Sequence, residues 1–316
     1  MRLRFRRGRG WRHPRLARGT ADPLGGTMTR AWFLRNIARP IAAILFLAAG
    51  LAGAEDVRVT DELPFVRTPQ AVVDKMLEIA AVRSSDFLID LGSGDGRIPI
   101  TAARRYGARA LGVDLDPQLV AQSRAAAQAE DVEREVTFEV RDLFATDLRA
   151  ATVVTMYLLP EYNLRLRPKL LAELRAGARV VSHDWDMGEW APDVKVELPV
   201  PNKPVGALKS STVYLWIVPA RVAGRWRFEL ECGDGHLEPV ELDLTQTFQQ
   251  LDGVARIRGR SVAIERGAVR GTQVFFRFDD EGETVRFEGR TTGDRIAGHV
   301  VPVGRRSQPW RALRAD

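Results

Sequence analysis

Between residues 56 and 220 the chain alternates short apolar runs with stretches of helical period. Residues 87–90 form an apolar run closed by an acid, Asp90. Glycines follow at every second position, Gly92, Gly94 and Gly96. Residues 98–106 then carry apolar side chains at helical spacing. The alternation continues with a strand over 109–114, an alanine-rich helix over 117–130 and strands over 135–140 and 151–156. A helix over 163–174 and a strand over 178–182 follow. Upstream, Val72, Val73, Met76, Leu77 and Ile79 predict an amphipathic helix to about Val82, with Thr68 as N-cap and Pro69 at its first position. Downstream, 194–198 and 211–218 predict the last two strands. This order predicts an α/β, doubly wound Rossmann-like domain whose ligands sit beyond the carboxyl ends of the strands.

After Pro219 the helical period disappears. Residues 226–230, 240–244, 254–257, 274–278, 285–288 and 295–301 alternate apolar and polar side chains, separated by glycines or Asp-Gly pairs such as Asp252-Gly253. That pattern predicts an antiparallel meander of roughly six to eight strands over 222–316, a small barrel or sandwich. Trp226 near its start and Trp310 near its end would both lie near a barrel closure. Such a domain either shapes a substrate entrance or holds a lipid or small molecule of its own.

The net charge of +6 suggests a polyanionic partner until it is located. Residues 1–54 hold eleven arginines and one acid, which leaves 36 basic and 40 acidic residues in the remainder. The body is mildly acidic, so nucleic-acid binding is not indicated. Residues 1–27 are Arg-, Gly- and Pro-rich without periodicity and are expected to be disordered, with Met28 the more sensible start. Residues 28–54 combine a basic start, a charge-free run over 40–54 and Ala52-Gly53-Ala54. This reads as a secretory signal cleaved after Ala54, or else as an uncleaved N-terminal anchor or a buried helix. The expectation is an exported or membrane-anchored protein that meets the membrane only through this leader; without a working leader it is cytoplasmic. The one cysteine, Cys232, allows no intrachain disulfide, and the four histidines show no metal-site spacing.

The glycine turn holds the candidate chemistry. A dinucleotide fingerprint has G-x-G-x-x-G; here the spacing is G-x-G-x-G, with Asp90 two residues ahead of the first glycine. A carboxylate there repels pyrophosphate and suits a cationic ligand, or the turn is a tight strand–helix connection binding nothing. The D-x-G-x-G-x-G pattern resembles the first motif of class I S-adenosylmethionine (SAM) methyltransferases. The resemblance implies that the glycines pack against the amino-acid part of SAM and that Asp90 helps fix its ammonium. Asp114 ends the second strand, 24 residues after Asp90, where a doubly wound fold faces the ribose. Because Asp116-Pro117 supplies the next helix cap, Asp114 is expected to be free for the ribose hydroxyls. The same resemblance sets Asp142 against the adenine amino group and Leu143 against its ring.

Three stretches, Pro64-Phe65-Val66, the run from Asp90 to Arg97, and Asp142-Leu143, resemble a narrower group. These are the small seven-strand lysine methyltransferases related to the mitochondrial ATP-synthase c-subunit enzyme. The glycine motif is also similar to that of the Dot1-type histone lysine enzymes. After the fourth strand stands Tyr157-Leu158-Leu159-Pro160, not the D/N-P-P-Y of enzymes that methylate adenine amines. The fifth strand runs into His183-Asp184-Trp185-Asp186. Tyr157 beside the methyl would guide it. His183 is a candidate base, since its ordinary pKa lies near neutrality. Asp184 or Asp186 would hold an incoming ammonium. The reading is a SAM-dependent methyltransferase acting in line on an unidentified acceptor, either a protein lysine amine or a small molecule. The alternative is an exported, non-catalytic binding protein that uses its β domain.

Overall fold

A computed structural model describes residues 65–206, 208–231, 235–302 and 306–315. The segment expected to be disordered (1–27) and the leader (28–54) lie outside the described residues. Seven strands form the first sheet: β1 (Phe87–Leu91), β2 (Arg109–Asp114), β3 (Val136–Val140), β4 (Val153–Met156), β5 (Arg179–His183), β6 (Val194–Pro199) and β7 (Ser210–Ile217). Their order is β3-β2-β1-β4-β5-β7-β6, parallel except for β7, which runs antiparallel between β5 and β6. Four helices cover the sheet: α1 (Gln70–Ile79), α2 (Arg97–Tyr106), α3 (Pro117–Ala129) and α4 (Pro160–Glu173). Central strands buried on both faces explain the near-continuous apolar runs of β1, β4 and β5. Leu88, Met76 and Phe138 anchor the core on one face; Ile89, Leu170 and Trp216 anchor it on the other. The strand order reverses between β1 and β4, so a crevice opens at their carboxyl ends.

Two helix starts differ from the sequence reading. The cap of α1 is Pro69, with no side-chain bond; the Thr68 hydroxyl turns inward toward His183 instead. Helix α4 begins at Pro160, three residues earlier than its apolar period indicates, because proline is well placed in a first helical turn. The cap of α3 is the expected one: Asp116 accepts from the amides of Gln118 and Leu119.

The remaining strands are β8 (Gly224–Glu231), β9 (Leu237–Thr247), β10 (Gln250–Ile257), β11 (Arg260–Ala263), β12 (Glu265–Arg270), β13 (Gln273–Asp280), β14 (Glu283–Thr292), β15 (Arg295–Pro302) and β16 (Gln308–Ala315). β11 and β12 both lie against β10 and form one broken stave, interrupted at Ile264. The last strand, β16, pairs back onto β8, so an eight-stave antiparallel meander closes into a barrel. Trp226 and Trp310 sit on the two strands that meet, as expected. Inside, Phe228, Phe276, Phe287 and Trp310 pack with ring centroids 4.7–5.8 Å apart. The interior is therefore a packed aromatic core, not a ligand chamber. An open cleft of about 1000 Å³ lies on the outer flank beside Arg227, Arg311 and Leu313.

The two sheets belong to one compact unit, Asp56–Asp316. At the β9–β10 turn, Phe248 stacks on Trp190 at 6.2 Å and Gln249 Nε2 donates to the Ala191 carbonyl at 2.6 Å. The barrel thus touches the loop that follows β5.

Candidate active site

A cavity of about 910 Å³ lies at the carboxyl ends of β1 to β4. Asp90, Gly92, Gly94, Asp114, Asp142, Leu143 and Tyr157 border it together, although they come from four different strand ends. Asp90 is 2% exposed and accepts a 2.7 Å bond from Thr155 Oγ1, its register partner on β4. Burial pushes its carboxyl up to about 8; the Thr155 bond opposes this, and the neighbouring charges of Asp114 and Asp95 add to it. A cationic ligand group beside it would favour its charged form.

The turn after β1 follows from its glycines. Gly94 takes φ +54, and a Cβ there would overlap the Phe65 ring. Gly96 takes φ +78 just before α2. It does not border the cavity; its missing side chain lets the turn pack on Phe138 and Ser123. Asp114 is not free as expected. One oxygen accepts from the Gly94 amide at 2.9 Å and the other from the Asp116 amide at 3.0 Å. A carboxylate has about four lone-pair sites, so acceptor capacity remains after both bonds. Asp142 uses one oxygen to hold the Phe144 amide at 2.8 Å. Beyond it, Arg165 lies 3.9 Å over the Phe144 ring, and both line the cavity.

Tyr157 faces the cavity from the end of β4. Its ring lies 3.9 Å from that of His183, and its hydroxyl donates to Asp184 Oδ2 at 3.4 Å. Burial, then the Asp184 charge, pushes the phenol up to about 12, so it stays protonated at neutral pH. His183 and Asp184 do not border the cavity. His183 is 1% exposed, with Nδ1 3.4 Å from Thr68 Oγ1 and Nε2 2.9 Å from Ser211 Oγ. Burial lowers its pKa to about 4 despite the Asp184 charge beside it. Buried and engaged at both ring nitrogens, it lies behind the Tyr157 ring, set back from the cavity that Tyr157 borders. Asp184 does not wait for a substrate ammonium. Lys203 Nζ already lies 2.7 Å from its carboxylate, and the Thr212 amide donates to it at 3.0 Å. It holds this place in left-handed backbone, φ +63. Asp186 caps the Gly188 amide at 2.9 Å.

Residues 90–194 match the ANTKMT methyltransferase domain. A protein-lysine N-methyltransferase of Saccharolobus islandicus is 38% identical over 157 residues, which is 49% of this chain and 94% of the archaeal protein. The chain belongs to the ANTKMT family of SAM-dependent methyltransferases. The human lysine N-methyltransferase named for the ATP-synthase c-subunit is 35% identical over 131 residues, 42% of this chain. The methyltransferase spans only 55% of that relative's length. A solved Salinibacter ruber RNA methyltransferase with S-adenosyl-L-homocysteine bound is 50% identical over half of this chain and 96% of its own, with a TM-score of 0.45.

The buried Asp90, the glycine turn and the acceptor capacity left on Asp114 and Asp142 border one cavity and are the residues that would hold SAM. The methyltransferase also uses residues that sequence reasoning passed over. Thr155 is one polar residue in an otherwise apolar buried strand, and that irregularity was a usable signal. Lys203 and Ser211 reach the site from the β6–β7 hairpin, and neither carries a local sign of it.

Proposed function

We propose that this methyltransferase moves the methyl group of SAM to the ε-amine of a protein lysine. What supports the acceptor is the archaeal relative named a protein-lysine N-methyltransferase, matched over nearly its whole length. The human lysine enzyme named for the ATP-synthase c-subunit points the same way. Bound SAM supplies an electrophilic methyl on sulfonium; the amine nitrogen bonds to that carbon as the sulfur–carbon bond breaks, leaving S-adenosylhomocysteine and a proton on nitrogen. The protein positions the partners. Asp90, Asp114 and Asp142 hold the donor, and Tyr157 offers a ring and a neutral hydroxyl on the cavity wall. Lys203 and His183 hold Asp184 and the Tyr157 ring from behind. Among the described residues that line the cavity there is no histidine or lysine, and the amine arrives deprotonated and loses its proton to water. Export through residues 28–54 is part of the proposal and rests on the sequence alone. The non-catalytic alternative has no finding in its favour.

The experiment incubates the protein with methyl-tritiated SAM and an extract of the producing cell, then hydrolyses the products. Label is expected in ε-N-methyl-lysine. Label confined to small molecules would overturn the lysine assignment. The labelling rate is expected to rise steadily from pH 6 to 9, without an inflection near 6.5. A histidine-like inflection that disappears in His183→Asn would assign His183 as the base.

A further inference from the structure

Asp95 and Arg97 stand within the glycine motif, on either side of Gly96. Both border the donor cavity. The Asp95 carboxylate receives Arg97 Nε at 2.9 Å and Nη2 at 2.6 Å, a two-point ion pair. The third nitrogen, Nη1, donates to the Thr68 carbonyl at 2.7 Å. Arg67 Nε lies 3.3 Å from the same Asp95 carboxylate. Asp95 is thus shared between an arginine of the glycine turn and an arginine of the segment that precedes α1. In that segment the Phe65 ring lies against Gly94, and Phe65, Val66 and Thr68 form part of the cavity wall. Its far end meets the acceptor side, where Thr68 Oγ1 approaches His183 behind Tyr157.

Residues 65–69 belong to neither helix nor strand. Among the described residues no strand pairing joins them to the sheet, and the Arg97, Asp95 and His183 side chains all reach them. A wall of that kind opens at the cost of a few contacts, whereas β1 or β4 opens only with the fold. We propose that Asp95 and Arg97 are positioning residues that latch segment 65–68 across the donor cavity and so set how long the donor stays bound. The latch also explains why Phe65-Val66 and Gly94-Asp95-Gly96-Arg97 belong together in one sequence: the second stretch fastens the first.

The test loads the full chain with radiolabelled S-adenosylhomocysteine and chases it with excess unlabelled ligand. Arg97→Ala is expected to speed dissociation by on the order of tenfold, with association changed less than about threefold. Phe65→Ala should act in the same direction. The double variant should dissociate no faster than the faster single one, because both changes release the same segment. Arg97→Lys, which keeps a charge but not the two-point geometry, should fall between wild type and Arg97→Ala. A purely structural role would instead lower the melting temperature of the free protein and leave dissociation unmoved. Dissociation within twofold of wild type in both single variants overturns the latch, as does a double variant whose effects multiply. Should Arg97→Ala fail to fold, Phe65→Ala and Arg67→Ala carry the same comparison. A wild-type chain that binds no S-adenosylhomocysteine would count against donor binding itself, a failure distinct from that of the latch.

Discussion

Asp90 shows how one side chain couples stability to ligand. Its carboxyl is raised to about 8 against an ordinary value of 3.8, mainly by burial. A carboxyl raised on folding binds a proton more tightly in the native state, so its contribution to stability is full at low pH. That contribution declines as pH rises from about 4 and is lost through 8. Asp90→Asn keeps an acceptor for Thr155 and removes the charge. The variant is expected to melt close to wild type at pH 4 and increasingly above it towards pH 9, while its SAM dissociation constant rises by about tenfold or more. Thermal scans at both pH values and calorimetric titration check this; equal SAM affinity would remove Asp90 from the donor site. The acidic strand ends were legible because strand alternation and glycine spacing are local. What holds them was not. Thr155 reaches Asp90 across 65 residues and Lys203 reaches Asp184 from the far hairpin, and such pairs exist only once the sheet order brings strand ends together. The burial of His183 was hidden for a related reason: a histidine at a strand end looks the same in sequence whether solvent reaches it or not.

At the level of elements, the part least visible beforehand is the contact between barrel and sheet. The alternating pattern after Pro219 predicts β8, β9, β10, β13, β14 and β15, but not β11, β12 or β16, and Asp252-Gly253, read as a separator, lies inside β10. Nothing in that pattern marks Phe248 as different from any other turn residue. In the structure it stands at φ +53, an uncommon conformation for a bulky side chain. There it stacks on Trp190 and lies under the Arg167 guanidinium at 5.3 Å. Arg167 also donates to the Met187 carbonyl at 2.8 Å, so the turn presses on the loop that begins with Asp184. Phe248→Ala removes the stacking while the strands remain. It is expected to cost about 1–3 kcal/mol in urea unfolding. A change under about 0.5 kcal/mol would mean that the lobes are held by their other contacts, the Gln249–Ala191 bond among them.

At the scale of the whole molecule, two sheets of different logic share one compact unit. The first sheet is assembled from parallel strands linked by helices and carries the donor. The barrel is assembled from neighbours in sequence, except at β16 and β8. A chain ending before Gln308 should retain the first sheet and leave β8 and β15 as open edges. It is expected to bind SAM but to form concentration-dependent aggregates, measured by light scattering. A monodisperse shortened protein would show that closure matters little. The ring seam has a further consequence for synthesis. Every strand of the donor sheet leaves the ribosome before β8 does, so the SAM site can be assembled on a nascent chain. The barrel is different, because its first stave waits for its last. Until Gln308–Ala315 emerges, the unpaired side of β8 is exposed to other chains. The enzyme's vulnerable interval is thus the time spent translating the barrel, with the catalytic half already folded beside an unfinished wall.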